Sequence, residues 1–297
     1  MNHVIELSHV TKEYKNNKGI FDINMTVERG EVFGYLGPNG AGKTTTIRHL
    51  MGFLHPDAGS CQILGMDCFM QAKQIKTKLG YLAGELAFMD DMTGEKYLEF
   101  MMQMKHMKNR RRMYELMDLF ELDARGKVKR MSKGMKQKIG LICAFMAEPD
   151  VVILDEPTSG LDPLMQNRFV ELILEEKKKG TTILMSSHIF EEVEKTSDRI
   201  AIIRAGKIVS VEDMKSFGSK RKKIYTVTLK DAASAKRFAG EAGTLVRSVE
   251  ENRVELMVKG APAEILRQIA AVEPVDLAVK TQSLEELFMH YYGEEQR

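Results

Sequence analysis

Residues 37–44 read GPNGAGKT and fit G-x-x-x-x-G-K-[ST], with Gly37, Gly42, Lys43 and Thr44 in the fixed places. The flanks make the match informative. EVFGYLG, a strand-like apolar run, leads into the loop, and Lys43–Met51 is the expected following helix. Between a strand and a helix, such a loop turns successive backbone N–H groups inward around phosphate oxygens. The helix that follows adds the positive end of its dipole. Lys43 neutralises β- and γ-phosphates, and the Thr44 hydroxyl is a ligand for magnesium. A glycine-rich turn matching by chance would not need those neighbours. The candidate nucleotide-binding residues in this loop are Gly37, Pro38, Asn39, Gly40, Ala41, Gly42, Lys43, Thr44 and Thr45.

The rest of the chain fits a parallel-sheet architecture around that loop. HVIELSHVTKEY reads as strand, and GIFDINMTVERGEVFGYLG as strand-like runs broken at Arg29-Gly30. From Thr93 to about Glu121 the apolar residues fall at helix spacing, so this stretch is expected to be helical. VVILDEP is a short continuous apolar run, as in a buried parallel strand. Helix Pro163–Lys179, strand TTILMSSH, helix IFEEVEKT and strand RIAIIRAGKIV complete an alternating α/β series. Composition then shifts at KSFGSKRKK, read as a linker over 216–223. Beyond it the order is β-α-β-β-α-β over 224–280, the split βαβ pattern. A last helix, SLEELFMHYYG, is expected to start with Ser283 as N-cap and Glu286 completing a capping box. The order of elements within residues 1–215 is α/β; a P-loop NTPase core with an antiparallel β subdomain and a helical insertion at about 85–150 is what the resemblance of these motifs to a known family implies. A small α+β domain follows over 224–297.

Two further stretches carry chemistry. A buried strand VVILDEP brings Asp155 to its carboxyl end, beside the phosphate loop, to hold magnesium. The adjacent Glu156 is placed to polarise an attacking water. On its own this would be an ordinary Asp-Glu-Pro turn; next to a phosphate loop, that reading is the weaker one. His188 ends the strand TTILMSSH, on the rim that also carries Asp155. The second stretch, MSKGMKQK at Met131–Lys138, opens an apolar helix and looks like another helix start aimed at an anion. A plain helix cap accounts for Ser132 there, but leaves open why one chain needs two phosphate-facing helix starts.

Composition excludes several classes. A net charge of +2 shows no strong nucleic-acid footprint, and three cysteines without metal or redox spacing fit a reducing compartment. The longest apolar run, Ile139–Ala147, is far shorter than the ~20 residues that span a bilayer. Any membrane role must come through a partner. The methionines of FMMQMKHMK are read as adaptable packing or a pliable partner surface, rather than soft-metal ligands. The basic run Lys220–Lys223 is read as a solvated linker.

Over about residues 3–215 the chain resembles the ATP-binding subunit of an ABC transporter. GPNGAGKT resembles the Walker A loop, VVILDEP the Walker B strand with its catalytic glutamate, and Ser159, Gly160, Leu161 and Asp162 (SGLD) the D-loop. His188 in SSHIFEEVE resembles the switch histidine. Tyr14 in KEYKNNKGI resembles the aromatic that stacks on adenine, the alternative being one more core aromatic. Ser132, Lys133, Gly134 and Met135 resemble the signature LSGGQ, with Lys133 in place of its first glycine and Met135 in place of its glutamine. The resemblance implies ATP and Mg2+ as cofactors, with Thr44 and Asp155 holding the metal, and Glu156 and His188 as catalytic residues. It also implies a head-to-tail dimer, homo- or hetero-, in which each signature caps the ATP held by the other chain. That answers the question of the two helix starts: one chain contributes half of each of two sites.

The family's usual glutamine after the LGYLA strand is replaced by Gly84, with Glu85 beside it as a substitute metal-side ligand. The implied partner is a separate transmembrane permease, with the chain cytoplasmic on the inner membrane face and no nucleic acid bound. The terminal SLEELFMHYYG and the loop spacing resemble the branch that exports drugs, peptide antibiotics or polysaccharides. The alternatives are a soluble ABC-type ATPase acting on the ribosome and a regulatory nucleotide-binding protein. The first usually carries two fused ATPase modules, whereas this chain has one phosphate loop. The second is disfavoured by intact Glu156, Ser132 and Gly134.

Overall fold

The apolar runs around the phosphate loop and at VVILDEP form β3 (Val32–Leu36) and β7 (Val151–Asp155), every residue of both being buried. They flank β8 (Thr182–Ser187), also buried throughout. This is the pattern of strands covered on both faces, where alternation is lost because each side chain meets apolar neighbours. The computed structural model describes residues 3–15, 18–89, 91–216, 222–259, 262–281, 283, 285 and 286. It divides into two units, Met1–Asp213 and Met214–Arg297.

In the first unit, β3, β7 and β8 belong to a six-stranded sheet with β6 (Leu79–Leu82), β9 (Arg199–Arg204) and β10 (Lys207–Asp213), in the order β10-β9-β3-β8-β7-β6. All pairings are parallel except β9 with β10. An antiparallel sheet, β2-β1-β4-β5, is built from β1 (His3–Tyr14), β2 (Lys18–Glu28), β4 (Ala58–Ile63) and β5 (Met66–Asp67). The two sheets share one apolar core that includes Ile5, Ile23, Phe33, Tyr35, Ile47 and Ile153. The parallel register sets the rim on which the chemistry sits: Asp155 lies opposite Ser186, and Leu36 opposite Ser187. The next residues, Gly37, Glu156 and His188, therefore leave the sheet at the same level, at the carboxyl ends where open α/β sheets bind ligands.

One expectation about elements is corrected, and a second is borne out in finer detail. The stretch RIAIIRAGKIV is a hairpin rather than one strand, because the chain reverses at Ala205 and Gly206, with φ of 47° and 76°. Two adjacent left-handed residues are what a tight hairpin turn requires, and Ala-Gly lacks the usual Asn-Gly signature. The region Thr93–Glu121 is two helices, α3 (Gly94–Met104) and α4 (Arg111–Leu119), interrupted where His106 takes φ 54°. Thr93 caps α3 by accepting from the Lys96 N–H at 3.3 Å. A third helix, α5 (Lys133–Phe145), completes the insertion between β6 and β7.

The second unit runs β11 (Lys222–Thr228), α8 (Ala232–Ala242), β12 (Val246–Glu250), β13 (Arg253–Lys259), α9 (Ala263–Ala271), β14 (Asp276–Thr281). Its sheet order is β12-β13-β11-β14, antiparallel throughout, which is the split βαβ topology. Tyr225, Val227, Phe238, Val254, Leu256 and Ile265 form its own core. At the start of the terminal segment the capping box is present: the Glu286 N–H donates to Ser283 Oγ (3.0 Å), and the Ser283 N–H to Glu286 Oε2 (3.1 Å). The rest of the expected terminal helix, and residues 217–221 of the expected linker, lie outside the described residues.

Candidate active site

The phosphate loop is shaped by positions where a side chain does not fit. Gly40 and Gly42 take φ of 79° and 114°, and a Cβ on Gly37 would fall 2.4 Å from the Ile203 carbonyl oxygen. Helix α1 (Lys43–Leu50) starts directly behind the loop. Lys43 is 5% exposed, and its ammonium donates to the carbonyls of Gly37 (2.6 Å) and Pro38 (3.2 Å). It also stands 3.0 Å from Glu156 Oε1. Pro38 and Ala41 hold the loop through backbone bonds, the latter accepting from the Gly206 N–H.

A cavity of about 420 Å³ opens beside the loop, lined by Asn39, Gly40, Gly42, Lys43, Thr44, Thr45, Glu156, Tyr14, Lys18 and Gly19. Tyr14 is 42% exposed, so it is not one more core aromatic. Lys18 and Gly19, at the start of β2, were not among the expected residues. Their signal was nevertheless present, because they belong to the same KEYKNNKGI stretch as Tyr14.

The carboxylates sit as the register dictates. Asp155 is fully buried at the end of β7, and its Oδ1 accepts from Ser186 Oγ at 2.6 Å. Its Oδ2 is buried with no hydrogen-bond partner. Burying one oxygen of a carboxylate unpaired is costly, and the deficit is what a cation beside it would relieve. Among the described residues no cluster of three or more His, Cys, Asp or Glu surrounds a common point. Mg2+ takes one or two protein ligands and completes its shell with water and substrate phosphates. Asp155 Oδ2 and the half-buried Thr44 are the fitting donors.

Gly84 packs against this carboxylate, since an added Cβ would lie 3.0 Å from Oδ2. Glu85, the next residue, is exposed and makes no hydrogen bond or ion pair to the described site residues.

Glu156 takes a left-handed backbone, φ 51°, an uncommon conformation for a residue with a side chain. One oxygen faces Lys43, and the other is bonded to His188 Nδ1 at 2.5 Å. The structure thus joins Lys43, Glu156 and His188 in one chain of contacts at the mouth of the cavity. Behind it lies Glu192, which sequence reasoning missed. Its Oε2 accepts from Thr158 Oγ1 and Ser187 Oγ, each at 3.0 Å, and burial pushes its carboxyl up to about 7.

The signature-like residues are elsewhere. Ser132 caps α5, its Oγ accepting from the Met135 N–H at 3.2 Å, and Ser132 and Lys133 are exposed while Gly134 is half-buried. None of Ser132, Lys133, Gly134 and Met135 lines the cavity. They contact the D-loop instead: Lys133 Nζ donates to Ser159 Oγ at 2.8 Å, and Gly134 abuts Gly160. Leu161 is buried, and Asp162 caps α6 (Pro163–Lys178) by accepting from the Met165 N–H at 3.0 Å.

Comparison with known proteins agrees with this geometry. The ABC transporter family model matches residues 20–159. The chain is 30% identical over 309 residues to the daunorubicin resistance ATP-binding protein DrrA3 of Streptomyces coeruleorubidus, covering 99% of this chain and 97% of that protein. It is 32% identical over 238 residues to the bacitracin transport ATP-binding protein BcrA of Bacillus licheniformis, covering 79% and 78%. A solved ATP-binding subunit of an ABC transporter superposes with a TM-score of 0.65 at 30% identity, covering 72% of this chain and 91% of that one. The chain belongs to the ABC transporter ATP-binding family and is an ATPase of that class.

Proposed function

We propose that the chain works as one half of an ATP-driven dimer that powers a separate permease, in the export of a drug, a peptide antibiotic or a polysaccharide. One observation supports the dimer: the signature turn at Ser132–Gly134, at the start of α5, contributes no residue to the lining of the phosphate-loop cavity. A second chain placed head to tail would bring its Ser132 and Gly134 backbone N–H to the γ-phosphate, with the α5 dipole adding favourable field.

Lys43 and the loop N–H groups would bind the triphosphate, and Tyr14 would stack on adenine. Mg2+ would be held by Thr44 and Asp155 and would neutralise phosphate charge. Glu156 would orient and deprotonate the attacking water, with His188 fixing the Glu156 carboxylate.

Among the described residues no helix is long and apolar enough to cross a membrane, so the reading requires the permease. An apolar surface supports it: Phe53 and Phe69 are about half exposed, Phe53 packs edge-on to Tyr81, and His55 packs on Phe69. The names of DrrA3 and BcrA support a drug or peptide-antibiotic cargo. The chain would then lie on the cytoplasmic face of the membrane.

Complementation tests the arrangement. A Lys43→Ala chain and a Ser132→Arg chain are each expected to be inactive alone. Mixed, they form dimers in which both lesions fall in one composite site and the other site is whole. Phosphate release should therefore recover partly on mixing. If subunit exchange is proven with differently tagged chains and no activity returns, the paired arrangement with independent sites is wrong.

A further inference from the structure

The first turn of α5 is fastened to the loop that follows β7. Gln137 Nε2 donates to the carbonyls of Glu156 (3.2 Å) and Pro157 (2.8 Å). A Cβ on Gly134 would lie 2.7 Å from the Gly160 carbonyl oxygen, so the two backbones touch. Lys133 adds a third fastening. Its ammonium donates to Ser159 Oγ, and its methylene stem covers Gly160, where an added Cβ would stand 3.1 Å from Cγ and Cδ. The same loop begins at Glu156, whose left-handed φ needs surrounding structure to maintain it. The turn closes through the Ser159 N–H to Glu156 O (3.2 Å) and the Leu161 N–H to Thr158 O (3.0 Å).

Lys133 stands where the chain departs from the glycine of the family signature. Helix stability does not explain it, because a cation in a first turn faces the unfavourable end of the dipole, and this first turn has no acidic residue to offset it. Nor does an ion pair explain it, since among the described residues its ammonium meets a neutral hydroxyl.

We propose that Lys133 is a positioning residue for ATP hydrolysis: it ties the signature turn to the Ser159–Gly160 turn of the same chain, and so fixes the backbone that presents Glu156. This rests on the reading of Glu156 given above. In the dimer, the turn that touches one nucleotide and the carboxylate that orients the attacking water at the other would move as one piece. A glycine at this position has no side chain with which to make the tie.

The test uses the full-length protein. Lys133→Met keeps the stem over Gly160 and removes the ammonium. Its kcat should fall about 5- to 10-fold, the loss of one charge-assisted hydrogen bond at an exposed site. KM for ATP should stay within about twofold, because the groups proposed to meet the partner's γ-phosphate, Ser132 and the Gly134 N–H, are unchanged in this variant. Fluorescent-nucleotide affinity, measured in the Glu156→Gln background, should be equally unmoved. Lys133→Arg should keep most of kcat. Ser159→Ala should reproduce the loss, and the double variant should add nothing to it.

Unchanged kcat in Lys133→Met, a loss of affinity matching the loss of rate, or fully multiplicative effects in the double variant would each overturn the proposal. Wild-type hydrolysis by Glu156→Gln would remove the underlying reading of that carboxylate, and the proposal with it. Failure of the lysine variants alone leaves that reading standing.

Discussion

Glu192 makes a measurable demand on the fold. Its carboxyl is 6% exposed at the start of α7 (Phe190–Thr196), and Oε1 has no partner. Burial is the leading cause of its raised pKa, with the nearby Glu156 charge adding to it; the bonds from Thr158 and Ser187 and the His188 ring act the other way. A carboxyl that ionises ordinarily at 4.5 and in the folded chain at about 7 holds its proton in the fold after the unfolded chain has lost its own. Stability from this group is therefore greatest below about pH 4.5, falls as pH rises from there, and levels off above about 7. At roughly 1.4 kcal/mol for each pH unit between the two values, the fall is about 3 kcal/mol.

Glu192→Gln mimics the protonated form and cannot ionise. Its amide oxygen can still accept from Thr158 and Ser187. The variant should match the wild type near pH 4 and exceed it near pH 8, by an amount of that order. Urea unfolding of both proteins at the two pH values, followed through the core transition, gives the difference directly. Parallel pH dependence in the two proteins would mean that Glu192 is ionised in the folded chain, and that burial does not dominate its environment.

Two other outcomes follow from packing. Gly84→Ala would press a methyl group against Asp155 Oδ2, and should raise the Mg2+ concentration for half-maximal hydrolysis by roughly tenfold, read by titrating the metal at saturating ATP. Phe238 is 1% exposed in the core of the second unit. Phe238→Ala should cost about 3–5 kcal/mol there, visible as an early unfolding transition in calorimetry, while ATP affinity stays at the wild-type value.

What could be read from residues was whatever depends on local chemistry. The phosphate loop, the buried runs VVILD and TILMSS, and the capping box at Ser283 and Glu286 each announce themselves by composition and spacing. Parallel pairing then places Asp155, Glu156 and His188 on one rim. Distances between those side chains were not legible, because they depend on register and on the φ of Glu156. Ser186 and Glu192 were invisible for a related reason: a serine or glutamate in SSHIFEEVE reads as polar surface until the packing of α7 against the sheet buries it. The hairpin at Ala205-Gly206 was missed because alanine carries no warning of positive φ.

The departures from the family pattern show how far one substitution can be read. Gly84 looked like the loss of a ligand, with Glu85 as its replacement. The structure gives a steric meaning to the first and none to the second. Position 84 touches Asp155 so closely that even a Cβ crowds Oδ2, whereas Glu85 is exposed. Lys133 stood in the sequence as a replacement for the first glycine of the signature. Its side chain folds back over Gly160 to Ser159, leaving the backbone at Gly134 and the cap at Ser132 in place. A glycine lost from a phosphate-facing turn is tolerable when the new side chain has an acceptor on the far side. A glycine gained beside a buried carboxylate clears space around the one oxygen that has no other partner. Both changes lie within reach of the Asp155–Asp162 segment, which joins the metal-side carboxylate to the cap of α6. Both departures therefore bear on the loop that carries Glu156, while the phosphate loop keeps the G-x-x-x-x-G-K-[ST] pattern its backbone geometry requires.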